Sequence, residues 1–260
     1  MSIKTKKGST MDDTKEQKKE SKELFAASRR LEWSAPFRWL KMGWQDYREA
    51  QSLSMAYGLF FAVAGLLLSS IVMRYSSTIF LFSMGVFFIL LGPLLAFGLY
   101  DIPRQIEHGE KPTLKHSLWQ IRNSAPNQWI FAVVVFVIAL IWMRAATIIH
   151  VFYPEGAEPS LEELLTFFAV GSSVGAAFLG LVFGISAFSL PMMVDRKVDA
   201  ISASLSSLSA VMNNMGVCAL WAFIIFALVA VGFATAFLGL IVVLPLIGYA
   251  TWHGYEDVME

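Results

Sequence analysis

Six long apolar stretches follow one another between Leu53 and Tyr255, and the connections between them alternate in character. Helical spans are predicted over 53–73, 77–100, 129–152, 165–193, 215–233 and 235–252. About 20 apolar residues are long enough to cross a hydrocarbon core as a helix. The pattern therefore predicts an all-α integral membrane protein with six transmembrane helices.

Shorter amphipathic stretches precede every second span. Trp33, Phe37, Leu40, Trp44 and Tyr47 recur at helical spacing before the first, with Arg38, Gln45 and Arg48 turned away, and Ser34-Ala35-Pro36 marks a helix start. Leu114, Leu118 and Ile121 form a second stripe behind Pro112. Val198, Ile201, Leu205, Leu208 and Met212 form a third, backed by Ser202, Ser206 and Ser209. One apolar stripe with a polar back is what a helix lying in the membrane interface needs. Each return span carries a proline, Pro93, Pro191 or Pro245, expected to bend it. Ala96-Phe97-Gly98-Leu99 resembles Ala187-Phe188-Ser189-Leu190, and Asn123 and Asn214 share the same offset. Three repeated units of interfacial helix plus helical hairpin are expected, all in one orientation, unlike inverted transporter repeats.

Charge fixes the expected orientation. Of the 20 Lys and Arg residues, 18 fall on one side of the predicted spans, Arg74 falls on the other, and Arg144 lies within a span. Basic loops stay cytoplasmic, so both termini are placed in the cytoplasm of a bacterial inner membrane. Tyr153 to Glu163 holds no base and the acids Glu155, Glu158, Glu162 and Glu163, which suits the far side. Residues 1–27, Lys-rich with interspersed acids and no apolar centre, read as a disordered cytoplasmic tail rather than a signal peptide. Residues 28–260 form the membrane domain. Positive charge clusters nowhere else, which argues against nucleic-acid binding. A single cysteine, Cys218, excludes an intramolecular disulfide and any site needing two thiolates.

Small residues mark packing faces. Gly58, Ala62, Gly65 and Ser69 line one side of the first span, and Gly171, Gly175, Gly180 and Gly184 line the fourth. Such stripes let helix backbones approach where lipid offers no hydrophobic drive. Packing within the chain is the expected use, with self-association the alternative.

Candidate chemistry is sparse. Arg144 is a charge inside a span, and such residues are functional candidates because burial is costly. It lies roughly 22 Å from Trp129 at 1.5 Å per residue, within reach of the far surface, so the structural reading is an interfacial arginine. His108, His116, His150 and His253 are spread over both surfaces, which does not suit a haem or copper centre. His150 with the loop acids is a weaker cation candidate. No metal, cofactor or catalytic residue is assigned. Arg144, the three prolines, Gly175, Gly180 and His253 are the functional or packing candidates.

Several motifs together resemble a known family. They are Ala35-Pro36-Phe37-Arg38-Trp39-Leu40 with Gly43-Trp44, then Gly92-Pro93-Leu94-Leu95-Ala96 and Gly98-Leu99-Tyr100. Trp142-Met143-Arg144-Ala145, Ala169-Val170-Gly171 with Gly175-Ala176, Ser189-Leu190-Pro191 with Asp195-Arg196, and Leu244 to His253 continue the series. Over about residues 30 to 257 the chain resembles the bacterial integral-membrane family called domain of unknown function 2189. The resemblance implies a membrane location and no established activity. Some members are labelled cytochrome c oxidase subunit I, but a haem–copper subunit needs a set of intramembrane histidines that this chain lacks.

The function expected from these residues is a non-enzymatic accessory, assembly or interaction protein of the bacterial inner membrane. Its partners would be the lipid bilayer and another membrane complex or a second copy. A small-solute or ion transporter is the alternative.

Overall fold

The computed structural model describes residues 28–75, 97–154, 160–196 and 198–259, and among them every regular element is a helix. The tail 1–27, Pro93 with most of the span expected over 77–100, and Glu155 and Glu158 lie outside the described residues. The helices are α1 (Ala35–Glu49), α2 (Gln51–Tyr75), α3 (described over 97–107), α4 (Leu114–His150), α5 (Leu161–Ser186), α6 (Ser189–Asp195), α7 (Ala200–Asn213), α8 (Met215–Ala234) and α9 (Leu240–Met259).

Four stretches are long and apolar enough to cross a membrane: Gln51–Ile71, Pro126–His150, Leu161–Asp195 and Met215–Ala234. They coincide with the first, third, fourth and fifth expected spans. The sixth expected span differs. Residues 235–239 form a turn in which Ala236 and Phe237 take left-handed backbone angles, φ 51° and 69°. Helix α9 starts only at Leu240 and continues through His253, Glu256 and Asp257. Its apolar part up to Trp252 is roughly 20 Å long, short of a hydrocarbon core of about 30 Å.

The interfacial stripes have the expected period, and Arg38, Gln45 and Arg48 are exposed as expected, but a further face of each helix is buried. Trp33 and Phe37 are 67% and 60% exposed, while Ala35, Trp39, Gly43, Asp46 and Tyr47 are buried, chiefly against α9. In α7, Ile201 is 62% exposed, and Ala203, Ser206, Ser207 and Ala210 are buried, against α5 and α6. At the start of α4, Leu114 and Leu118 point outward, and Ser117 and Gln120 point inward. Large aliphatic and aromatic side chains lose nothing by facing lipid, whereas small and hydrogen-bonding residues gain from close helix contact. The second stretch is also not a separate helix. It continues through Pro126 into a single α4 of 37 residues.

Pro191 acts upstream of its own position. Without an N–H, and with a ring that would meet the carbonyl four residues back, it cannot continue α5. The helix breaks at Ala187 and Phe188, and Pro191 sits in the first turn of α6, where no donor is required. The broken ladder is repaired from α7. Phe188 N–H donates to Ser207 Oγ at 3.0 Å, and the same hydroxyl donates to Gly184 C=O at 2.7 Å. Ser207→Ala should strand both buried groups, at about 1–3 kcal/mol. The check is the thermal unfolding midpoint in detergent, and an unchanged midpoint would show that residues 184 and 188 bond directly instead.

The buried core lies where the short helices meet, not at mid-span. One cluster gathers Trp39, Phe97, Phe188, Trp221, Trp252 and Tyr255, and a second gathers Tyr47, Tyr57, Leu99, Ile102 and Tyr249. Asn214, at the α7–α8 junction, holds the segment before α1 by accepting from Leu31 N–H (2.8 Å) and donating to Arg29 C=O (2.9 Å). The segment before α1 and the end of α9 are thereby joined in one layer, since Arg29 N–H also donates to Val258 C=O at 2.8 Å.

Candidate functional site

Helix α9 brings its polar residues into this layer at helical spacing. His253 and Glu256 stand three apart and so share a face. Asp46 reaches the same place because it lies on the inward stripe of α1, seven residues after Trp39. Glu107 comes from the last turn of α3.

His253 is buried, and its Nε2 lies 2.6 Å from Asp46 Oδ2. Its other nitrogen, Nδ1, faces Glu256 Oε2 at 3.4 Å and Glu107 Oε1 at 3.6 Å, and it has no hydrogen-bond partner among the described residues. Trp252 Nε1 donates to Glu107 Oε1 at 3.0 Å and fixes that carboxylate. Burial and the neighbouring Glu256 raise the Glu107 carboxyl to about 8. Burial alone would lower His253, but its hydrogen bond to Asp46 and the Glu256 and Glu107 carboxylates raise it to about 9. Glu256 lies on the low side of the pair: burial opposes its ionisation, yet His253 and Glu107 hold it below the usual carboxylate range. The arrangement attracts positive charge strongly.

Neighbouring polar groups tie helices together. Asp101 accepts from Gln105 Nε2 and lies 2.7 Å from His116 Nδ1, joining α3 to α4. Tyr255 O–H donates to Asp195 at 2.7 Å and accepts from Arg196 Nε at 2.9 Å, joining α9 to the end of α6. Asp257 accepts from Arg38 and from Trp39 Nε1. Ser54 and Tyr249 hydroxyls meet at 2.8 Å between α2 and α9.

Of the residues singled out from the sequence, only His253 lies in the carboxylate cluster. Pro191 and Pro245 are buried helix residues. Arg144 is exposed on α4 and forms no ion pair with a described residue. It is six residues from the end of the Pro126–His150 stretch, about 9 Å along the helix, which fits an interfacial arginine. Neither Gly175 nor Gly180 marks a close helix contact: a Cβ at Gly175 would come no closer than 4.0 Å to Trp142 Nε1, and one at Gly180 would meet nothing within 4 Å. Of the loop acids, the described Glu162 and Glu163 form no ion pair with His150, which makes a ring contact with Tyr153, while Glu163 closes a capping box with Ser160.

These helices form a multi-pass bundle, and a family comparison identifies the same kind of protein. Residues 79–195 match the family of predicted integral membrane proteins called domain of unknown function 2189. The matched segment includes Pro93, Glu107, Arg144, Gly175, Gly180 and Pro191, whereas Asp46, Pro245, His253 and Glu256 lie outside it. No curated protein and no solved structure matches the chain.

Asp46, Glu107 and Glu256 were not apparent from the sequence. The His253–Glu256 spacing was a readable signal. Glu107 was not, because its approach depends on how α3 and α9 pack.

Proposed function

We propose that this is a non-enzymatic interaction protein of the bacterial inner membrane, which docks a transmembrane helix of a partner membrane protein. The observation that carries this reading is an open groove between α5, α7 and α8. It encloses about 920 Å³ and is lined by apolar residues throughout, among them Leu179, Gly180, Leu208, Met212, Ala222 and Phe226. The small-residue face of α2 is used up within the chain, where Gly58 and Gly65 meet Ile241 and Phe237, but Gly180 has no such contact among the described residues. A small-residue face beside a groove of this size suits a second helix approaching closely. The polar groups of the short-helix layer support the same reading, since Asp101, Asp195, Asp257 and Tyr249 are engaged in bonds between helices. In this reading the basic layer and both termini face the cytoplasm.

A photo-crosslinking residue at Leu179 in the full-length protein, activated in intact membranes, tests it. The expected product is an adduct with another membrane protein, lost in Gly180→Leu and kept in Arg144→Ala. Adducts with lipid alone would overturn the reading, and an adduct with a second copy would make self-association the function of this face.

A further inference from the structure

We propose that Glu107, His253 and Glu256 bind one divalent transition-metal ion of the zinc type, with Asp46 as a positioning residue. The three side chains offer one ligand atom each, and these atoms all lie within 4.8 Å of one another. The argument starts from the tautomer. Metal binding would take one proton from His253; the Asp46 carboxylate, 2.6 Å from Nε2, would keep the other there, so Nδ1 would present a lone pair. That lone pair faces two carboxylate oxygens, at 3.4 and 3.6 Å. With Nδ1 unprotonated, one buried nitrogen and two carboxylates converge on one point, an arrangement that suits a cation.

A proton on Nδ1 finds no aligned acceptor. Nδ1 is buried and meets neither carboxylate with hydrogen-bond geometry. A metal ion fits better. Tetrahedral zinc with bonds of about 2.0–2.1 Å holds its ligand atoms roughly 3.4 Å apart, which is close to the two observed separations. The donor set also fits, since imidazole with carboxylates suits zinc and its first-row neighbours, whereas magnesium and calcium prefer oxygen alone. The surrounding contacts are those of a built site. Asp46 on the far nitrogen of His253 forms a carboxylate–histidine pair that would orient the ring toward a metal. Trp252 holds Glu107 in the same way through its indole N–H. Four arginines of this layer are engaged elsewhere: Arg38 and Arg29 with Asp257, Arg104 with Asp101, and Arg196 with Asp195 and Tyr255. A metal here would tie α3 to α9 and, through Asp46, to α1.

The test uses the full-length protein in detergent, stripped with a chelator and titrated with zinc chloride alone. One zinc per chain is expected, with an X-ray absorption spectrum of nitrogen and oxygen neighbours at about 2.0–2.2 Å and no sulfur. Glu107→Gln and Glu256→Gln should each weaken binding, and the double variant should abolish it. Asp46→Asn should weaken binding about 10- to 100-fold while keeping one zinc per chain. His108→Gln, at an exposed histidine one residue from Glu107, should change nothing. Chelator should lower the unfolding midpoint of the wild type and leave that of the double variant unmoved. Wild-type binding no tighter than that of the double variant, or a sulfur neighbour that reveals Cys218, would overturn the site. Should a variant lose its fold, wild-type stoichiometry and spectrum decide the matter without it.

Discussion

Gly58→Ala should yield little monodisperse protein in detergent, although it adds one methyl group. A Cβ at Gly58 would overlap the carbonyl oxygen of Ile241, and the carbonyl carbon and Cα of the same residue lie at 2.5 and 2.6 Å. These are backbone atoms in the first turn of α9, so no side-chain rotation can make room. Helices α2 and α9 would have to separate, undoing the contacts of Ala62 and of the Phe237 ring over Gly65. Overpacking costs about 1–3 kcal/mol where side chains can adjust, and here the loss should reach or exceed the upper end. Gly43→Ala, whose methyl would stand 2.7 Å from Ala250 N, should fail for the same reason on the other side of α9. Gly180→Ala meets open space and should behave as wild type. The measurement is size-exclusion recovery after a heating series, and full recovery of Gly58→Ala would show that α2 and α9 are not held this closely.

The contrast between Gly58 and Gly180 shows how much the sequence could tell. Both belong to small-residue stripes with the same spacing, and the spacing predicted close packing for both. Only the arrangement of helices separates Gly58, which α9 covers, from Gly180, which faces a groove although Gly184 in the same stripe packs under Leu208. The amphipathic stretches teach a similar lesson. Their period was readable, but helical period does not say whether a polar back meets water or protein: Arg38, Gln45 and Arg48 are exposed, whereas Ser206 is buried. Pro191 was readable as a disruption, while the site of the break was not, because the nearest suitable hydroxyl belongs to Ser207 in another helix. Apolar length located four membrane-crossing stretches directly. Over 235–252 it did not show that a turn occupies residues 235–239, so that the helix starts at Leu240 and runs on past Trp252. His253 was visible as a histidine at a helix end, but its meaning depends on Asp46 and Glu107, brought in by packing between segments distant in sequence.

Trp39→Ala should cost about 3–5 kcal/mol, the range for emptying a large aromatic from a packed core. The argument rests on what the ring joins. Trp39 is buried on the inward face of α1 and meets Phe188 and Trp221 edge-on, with ring centroids 6.4 and 5.6 Å away. On its other side lies Gly254, where a Cβ would come within 3.1 Å of the indole, so α9 keeps a glycine at the point of closest approach. The indole N–H donates to Asp257 at 2.9 Å, beside Arg38. One side chain therefore touches α1, the α5–α6 break, α8 and α9, and its loss leaves a cavity among all of them and removes a donor from a largely buried carboxylate. Trp39→Phe should lose less, because a smaller ring keeps most edge contacts and Arg38 still pairs with Asp257. Phe226→Ala, at a residue 71% exposed in the span layer, should lose almost nothing, since lipid replaces the contacts of that ring. Unfolding midpoints should therefore fall in the order Phe226→Ala, Trp39→Phe, Trp39→Ala. If Phe226→Ala were as damaging as Trp39→Ala, stability would reside in the span layer, and the short-helix layer would not be what holds the bundle together.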